Sequence, residues 1–168
     1  MMKPFINQMM KQGNHCQILN VCSIAGLYTM NANPIYFATK HAAVALGEST
    51  YKWLKGIGAN IDISIFCPGF VQTELYNADL YRPERYKKGD QEFYHSEAYK
   101  KYDEQSRYFL NNGRPLDEVI EEVFEQIAQG KFYILTHPQY DNVLRDWGKC
   151  AIEGDHPVDM SQYNASHN

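Results

Sequence analysis

Tyr36 and Lys40 stand four residues apart in Tyr-Phe-Ala-Thr-Lys, and Ser23 precedes Tyr36 by thirteen residues. On a helix, an i, i+4 pair shares one face at a separation of about 6 Å along the axis. A phenol titrates near 10, too high for acid–base work around neutrality. An ammonium a few ångströms away favours the phenolate and brings such a group into useful range. A serine hydroxyl beside the pair can donate a hydrogen bond to a carbonyl or alkoxide oxygen. The three together suit polarising a carbonyl and protonating its oxygen, or removing the proton from an alcohol. The partner still needed is a hydride donor or acceptor. A third piece, Pro68-Gly69-Phe70-Val71-Gln72-Thr73, follows an alternating apolar run.

Periodicity supplies the elements that hold these residues. Met2, Phe5, Ile6, Met9 and Met10 mark an amphipathic helix ending at Gly13. Ile18, Leu19 and Val21 predict a strand over Cys16 to Cys22, apolar on both faces, with Ser23 just beyond it. Ser23 to Asn33 reads as a loop. Asn33-Pro34 supplies an N-cap and a first-turn proline for a helix to about Leu54, stopped by Gly56. Ile61, Ile63 and Ile65 alternate with Asp62 and Ser64, predicting a strand over Asn60 to Cys67 that Pro68-Gly69 ends. Pro115 opens and Gly130 closes another helix, Phe132 to Thr136 reads as a strand, and Val143, Leu144 and Trp147 mark a last short helix. Strands alternating with helices predict an α/β fold with a parallel sheet. All three chemical pieces then lie beyond the carboxyl ends of strands, where such sheets bind ligands.

Between Gln72 and Asn112 lie seven of the chain's 13 tyrosines, with a helix expected from Ser96 to Asn111. Forty residues are too long for a plain connection, so the segment reads as a lid or binding insert. A length of 168 residues suits one domain. A hydrophobic fraction of 44% and a charged fraction of 21% exclude a disordered chain. A net charge of −4 without a basic stripe argues against nucleic acid or a membrane surface as partner. No apolar run reaches the roughly 18 residues of a membrane span. Cys16, Cys22, Cys67 and Cys150 are scattered, and no secretory signal is visible, so reduced thiols in the cytoplasm are expected. The histidines show no metal-ligand spacing.

Ser-x12-Tyr-x3-Lys followed by Pro-Gly-x3-Thr resembles the short-chain dehydrogenase/reductase family. Asn20-Val21 before the serine, Ala25-Gly26 after it and His41-Ala42-Ala43-Val44 after the lysine agree, and Phe132 to Thr136 is similar to that family's last core strand. The resemblance covers about Met2 to Tyr76 and Pro115 to Pro138. It implies Tyr36 as general acid/base, Ser23 as the group that orients the substrate oxygen, and Lys40 as partner of both Tyr36 and the nicotinamide ribose. It further implies that Pro68, Gly69, Val71 and Thr73 cradle the nicotinamide end of NAD or NADP.

The family's G-x-x-x-G-x-G turn does not occur in this sequence; Gly56-Ile57-Gly58 is the only G-x-G, and it follows a helix. The expectation is therefore the C-terminal half of a doubly wound, Rossmann-type sheet of about three strands with flanking helices, plus the Tyr-rich helical insert. Residues 1–154 would form this partial oxidoreductase domain, including the 72–112 lid, and 155–168 a polar, frayed tail. The implied activity is NAD(P)-dependent reduction of a small-molecule carbonyl or oxidation of a secondary alcohol, with a homo-oligomer in the full-length form. The alternative is a catalytically silent truncated relative, an interaction partner or an unstable remnant.

Overall fold

A computed structural model of the chain describes residues 2–31, 33–87, 89–158 and 163. The elements are α1 (Met2–Gln12), β1 (Cys16–Val21), α2 (Pro34–Gly56), β2 (Ile61–Phe66), α3 (Glu92–His95), α4 (Glu97–Asn111), α5 (Leu116–Ala128), β3 (Tyr133–Ile134) and α6 (Asp141–Glu153). Short 3₁₀ turns occupy Ile24–Gly26, Glu74–Tyr81, Glu84–Tyr86 and Pro138–Tyr140. The strands form one parallel sheet in the order β1-β2-β3, flanked by helices. Of the described residues, those up to Gly69 and those from Val123 onward form one compact unit, and those from Phe70 to Glu122 form another.

In the first unit, β2 is the middle strand and its burial follows from that place. Ile61, Ile63 and Ile65 are buried, and so is Ser64, which simple alternation puts on a wet face. The serine is accommodated because its hydroxyl donates to Lys131 O at 2.8 Å and accepts from Gln17 Nε2 at 3.1 Å. One apolar cluster joins Ile6, Leu54, Ile61 and Ile63; another joins Cys22, Val44, Ile65 and Cys67. A third, of Ile24, Tyr28 and Val143, gathers Tyr140, Leu144 and Trp147 against it. Gly13 at φ +71° ends the approach from α1, as its place after the apolar stripe predicts.

The strands are shorter than their sequence patterns predict. β1 stops at Val21, although Cys22 N still donates to Phe66 O. Among the described residues β1 is a sheet edge; Cys16 to Asn20 are half-buried and Val21 is exposed. β3 contributes only Tyr133 and Ile134 to the ladder, against the expected Phe132 to Thr136. Beyond Cys67 the chain turns at Pro68-Gly69, so backbone pairing has no partner strand to follow. The loop expected from Ser23 holds a 3₁₀ turn at once. The tail beyond residue 158, expected to fray, lies outside the described residues apart from Tyr163.

The second unit is helical and aromatic. Ser96 caps α4, its hydroxyl accepting from Tyr99 N–H at 3.2 Å. Phe93, Tyr94 and Tyr99 meet edge to face, with ring centroids 5.2–5.5 Å apart. Phe70 stacks on Phe109 at 5.0 Å, and Val71 bridges to Arg114.

Candidate active site

Ser23 is placed by ladder hydrogen bonds on either side of it. Cys22 N donates to Phe66 O at 2.8 Å and Ile24 N to Pro68 O at 2.9 Å, so the rungs between β1 and β2 continue past both strand ends. The serine between them is extended (φ −174°) and buried. Its Oγ accepts from Ala25 N–H at 3.1 Å, which caps the 3₁₀ turn and leaves the hydroxyl proton to be donated elsewhere. Gly26 then lies against α2 so closely that a Cβ there would meet Lys40 O at 2.7 Å.

Tyr36 and Lys40 come from the first two turns of α2. Asn33, in the left-handed region at φ 40°, caps the helix through Oδ1, which accepts from Tyr36 N–H at 3.2 Å; Pro34 occupies the first turn. Tyr36 is 39% exposed. Lys40 reaches back along the same face, with Nζ 5.6 Å from the Tyr36 ring centroid. The same Nζ donates to Cys22 O at 3.1 Å, one residue before Ser23. The side chain of α2 is thus tied to the end of β1, and the serine, tyrosine and lysine belong to one unit of the fold.

Pro68 and Gly69 close the same end of the sheet. Burial pushes the Cys67 thiol up to about 12, the neighbouring Cys22 acting in the same sense and the Ser23 backbone and Lys40 in the opposite one. Burial also raises Cys22, with Lys40 acting in the opposite sense. Gly69 N–H donates to Nδ1 of His137 at 3.1 Å. A Cβ on Gly69 would meet Tyr140 Cε2 at 2.7 Å and His137 Cδ2 at 2.8 Å, so only glycine fits under these two rings. Sequence reasoning tested His137 only for metal-ligand spacing and passed over Tyr140. The available signal was a histidine directly after the last strand, level with the Pro-Gly turn of its neighbour.

The remaining two candidates, Val71 and Thr73, belong to the second unit. Val71 is buried. Thr73 is exposed and precedes the Glu74–Tyr81 turn without capping it through its side chain. It lines a cleft of about 300 Å³ with Gln72, Glu74, Tyr76 and Asn111. Among the described residues no three His, Cys, Asp or Glu side chains gather as metal ligands, and no helix is long and apolar enough to cross a membrane.

A Ser-Tyr-Lys group at the carboxyl end of a parallel sheet, beside a Pro-Gly turn, defines a class of oxidoreductase sites. Residues 1–82 match the family model of the short chain dehydrogenases, and the chain belongs to the short-chain dehydrogenase/reductase family. It is 41% identical over 151 residues to the CLA biosynthesis dehydrogenase/reductase of Lactiplantibacillus plantarum, a match covering 90% of this chain and 53% of that one. It is 35% identical over 71 residues to a diacetyl reductase [(S)-acetoin forming] of Staphylococcus epidermidis, covering 42% of this chain and 27% of that one. The crystal structure of a family member from Burkholderia phymatum in complex with NAD superposes with a TM-score of 0.87 at 31% identity, covering 94% of this chain and 56% of that one. The chain spans about half the length of the Lactiplantibacillus plantarum and Burkholderia phymatum relatives.

Proposed function

We propose that this chain provides the acid–base site and the nicotinamide-binding end of an NAD(P)-dependent oxidoreductase acting on a carbonyl or secondary alcohol. The observation that carries the reading is the placement of Lys40 Nζ, hydrogen-bonded to the carbonyl that precedes Ser23 and lying 5.6 Å from the Tyr36 ring. In the reductive direction, the Tyr36 hydroxyl delivers its proton to the substrate oxygen. Ser23 donates its hydroxyl proton in a hydrogen bond to the same oxygen and fixes its position. The Lys40 ammonium faces the negative charge that develops on the tyrosine. A nicotinamide cofactor, when bound, supplies or accepts the hydride.

The residues present suit one end of that cofactor. Lys40 is a donor for ribose hydroxyls, and the tight Pro68–Gly69 turn offers backbone to a carboxamide, with Val71 and Thr73 as further candidates. The G-x-x-x-G-x-G turn for the pyrophosphate does not occur in this sequence. The reading therefore expects the chain alone to bind NADH only at about 1 mM, near 4 kcal/mol.

The substrate side is proposed as bulky and partly apolar, because the second unit presents exposed Leu75, Leu80, Tyr81, Tyr86, Phe93 and Tyr108. A homo-oligomer is proposed through α2, whose Ile35, Leu46 and Trp53 are exposed along one helical face. All four cysteines are free, which suits a reducing, cytoplasmic compartment.

The test is a chimera in which this chain replaces the matching part of the Burkholderia phymatum relative. Tyr36→Phe removes one hydroxyl, and turnover of NAD(P)H with a ketone panel should fall by about 10²–10⁴. Near wild-type turnover in that variant refutes the assignment.

A further inference from the structure

The parallel ladder between β2 and β3 has a regular rhythm. Ile65 N donates to Phe132 O at 2.6 Å, and Cys67 N donates to Ile134 O at 3.0 Å. Two residues further along each strand, the next rung would run from Gly69 N to Thr136 O. Instead, Gly69 N–H donates to the imidazole Nδ1 of His137 at 3.1 Å. A side chain has taken the place of a backbone carbonyl, at the position where β2 turns away through Pro68-Gly69.

The surroundings fix this imidazole. His137 is 2% exposed and Thr136 is fully buried, with Thr136 Oγ1 2.9 Å from the same Nδ1. The ring of Tyr140 lies 6.3 Å from that of His137 and stacks on Tyr28 at 5.9 Å. Those rings also occupy the space that any side chain at position 69 would need. A backbone amide only donates, so Nδ1 must present its lone pair to Gly69. A proton on Nδ1 would face the Gly69 N–H head on. The arrangement therefore requires the Nε2–H tautomer, with the Thr136 hydroxyl as a further donor to Nδ1 or turned elsewhere.

We propose that His137 is a positioning residue for the cofactor end of the site. Its Nδ1 acts as the last rung of the sheet and holds the Pro68–Gly69 turn in the shape that receives the nicotinamide. This rests on the function proposed above, in which that turn meets the cofactor. Without the acceptor, the half-buried Gly69 N–H loses its partner, and the turn must open to let it find water. The imidazole's bond to the Gly69 amide reaches the cofactor turn, so the residue acts on cofactor binding rather than on the proton-transfer step.

The experiment uses the ¹⁵N-labelled 168-residue chain and two variants. His137→Asn keeps an acceptor two bonds from Cβ, where Nδ1 stands; His137→Phe keeps a ring and removes the acceptor. Long-range ¹H–¹⁵N spectra should show Nδ1 unprotonated in the wild type, and a proton on Nδ1 overturns the inference. Exchange of the Gly69 amide should accelerate about tenfold or more in His137→Phe, as loss of one hydrogen bond implies, and stay within about threefold in His137→Asn. Titration with NADH, read from the Gly69 amide shift, should weaken about tenfold in the Phe variant and be rescued by Asn.

Equal behaviour of Phe, Asn and wild type overturns the inference. So does an Asn variant that is folded yet fails as Phe does, because the ring and not the acceptor would then matter. If His137→Phe does not fold, the tautomer and the Asn variant still decide the question. Absence of any response to millimolar NADH in the wild type counts against the proposed function. The tautomer and exchange measurements then judge the rung by themselves.

Discussion

Gly26→Ala and Gly148→Ala make the same chemical change and should have opposite effects. Gly26 sits in the turn after Ser23, where an added Cβ would lie 2.7 Å from Lys40 O, 2.7 Å from Val44 Cγ2 and 3.1 Å from the Lys40 carbonyl carbon. Carbon contacts are comfortable at about 3.5–4.0 Å, so the turn and α2 must separate by several tenths of an ångström. The nearest atoms include helix backbone, which cannot rotate away as a side chain can. Overpacking of this kind costs about 1–3 kcal/mol. Stiffening of the unfolded chain returns about 0.4–1 kcal/mol. The balance is a loss of about 1–2 kcal/mol. At Gly148, within α6, a Cβ meets nothing within 4 Å, and replacing a helical glycine stabilises by about 0.5–1 kcal/mol. Urea unfolding followed by far-UV circular dichroism and by the fluorescence of Trp53 and Trp147 measures both. At about 2–4 °C per kcal/mol for a chain of this size, Tm should fall by about 4 °C in the first variant and rise by about 2 °C in the second. A Gly26→Ala protein as stable as the wild type refutes the close approach of the serine turn to α2.

Other expectations follow from single groups. Burial and the Glu48 carboxylate push the Tyr133 phenol up to about 12, above its unfolded value near 10. A raised folded value means the contribution is whole below pH 10 and is lost as pH climbs towards 12; Tyr133→Phe should flatten the fall in urea midpoint between pH 9 and 11, and an unchanged fall is the contrary result. Cys22 and Cys67 are buried with raised thiols, whereas Cys16 and Cys150 are half-buried, so at pH 8 a colorimetric thiol reagent should titrate the latter two in the native chain and all four only in denaturant. Ser64→Ala removes the bonds to Lys131 O and Gln17 Nε2 and should cost about 1–3 kcal/mol; a loss below 0.5 kcal/mol would mean that water replaces the hydroxyl.

What the sequence made legible is what local pattern encodes. Asn33-Pro34 announces the start of α2, and Asn33 does cap it; Ser96 announces α4 in the same way. Ile61, Ile63 and Ile65 mark β2 through their period. The burial of Ser64 is not legible in this pattern, because alternation reports one covered face and a central strand has two. The length of β3 was not legible either, since it is set by where β2 turns, about 65 residues earlier in the chain. His137 escaped for the same reason. Its partner is an amide 68 residues away, and a motif search asks which metal a histidine binds, not which carbonyl it replaces. Gly26 lies in the Ala25-Gly26 pair that the family resemblance picked out, yet only the structure shows the helix carbonyl that forbids a side chain there.

The two ends of the sheet are held by different physics, and the difference bears on where chemistry can be placed. At the amino end of β2, Asp62 takes Lys55 at 2.7 Å and His15 at 2.9 Å, all three side chains about half exposed. These partners hold the Asp62 carboxyl below its ordinary value. What they contribute is present above about pH 4 and is lost as pH falls through that lowered value. Screening makes such a cluster weak at physiological salt. At the carboxyl end there is no carboxylate among the bonds described. Cys22 N to Phe66 O, Ile24 N to Pro68 O, Lys40 Nζ to Cys22 O and Gly69 N to His137 Nδ1 join β1, α2, β2 and the segment after β3. Each bond ends on a neutral acceptor, and every strand end borrows from its neighbour. That suits the site proposed above, in which Ser23, Tyr36 and Lys40 must keep fixed distances, because the bonds described at this end bring no carboxylate to the Lys40 ammonium.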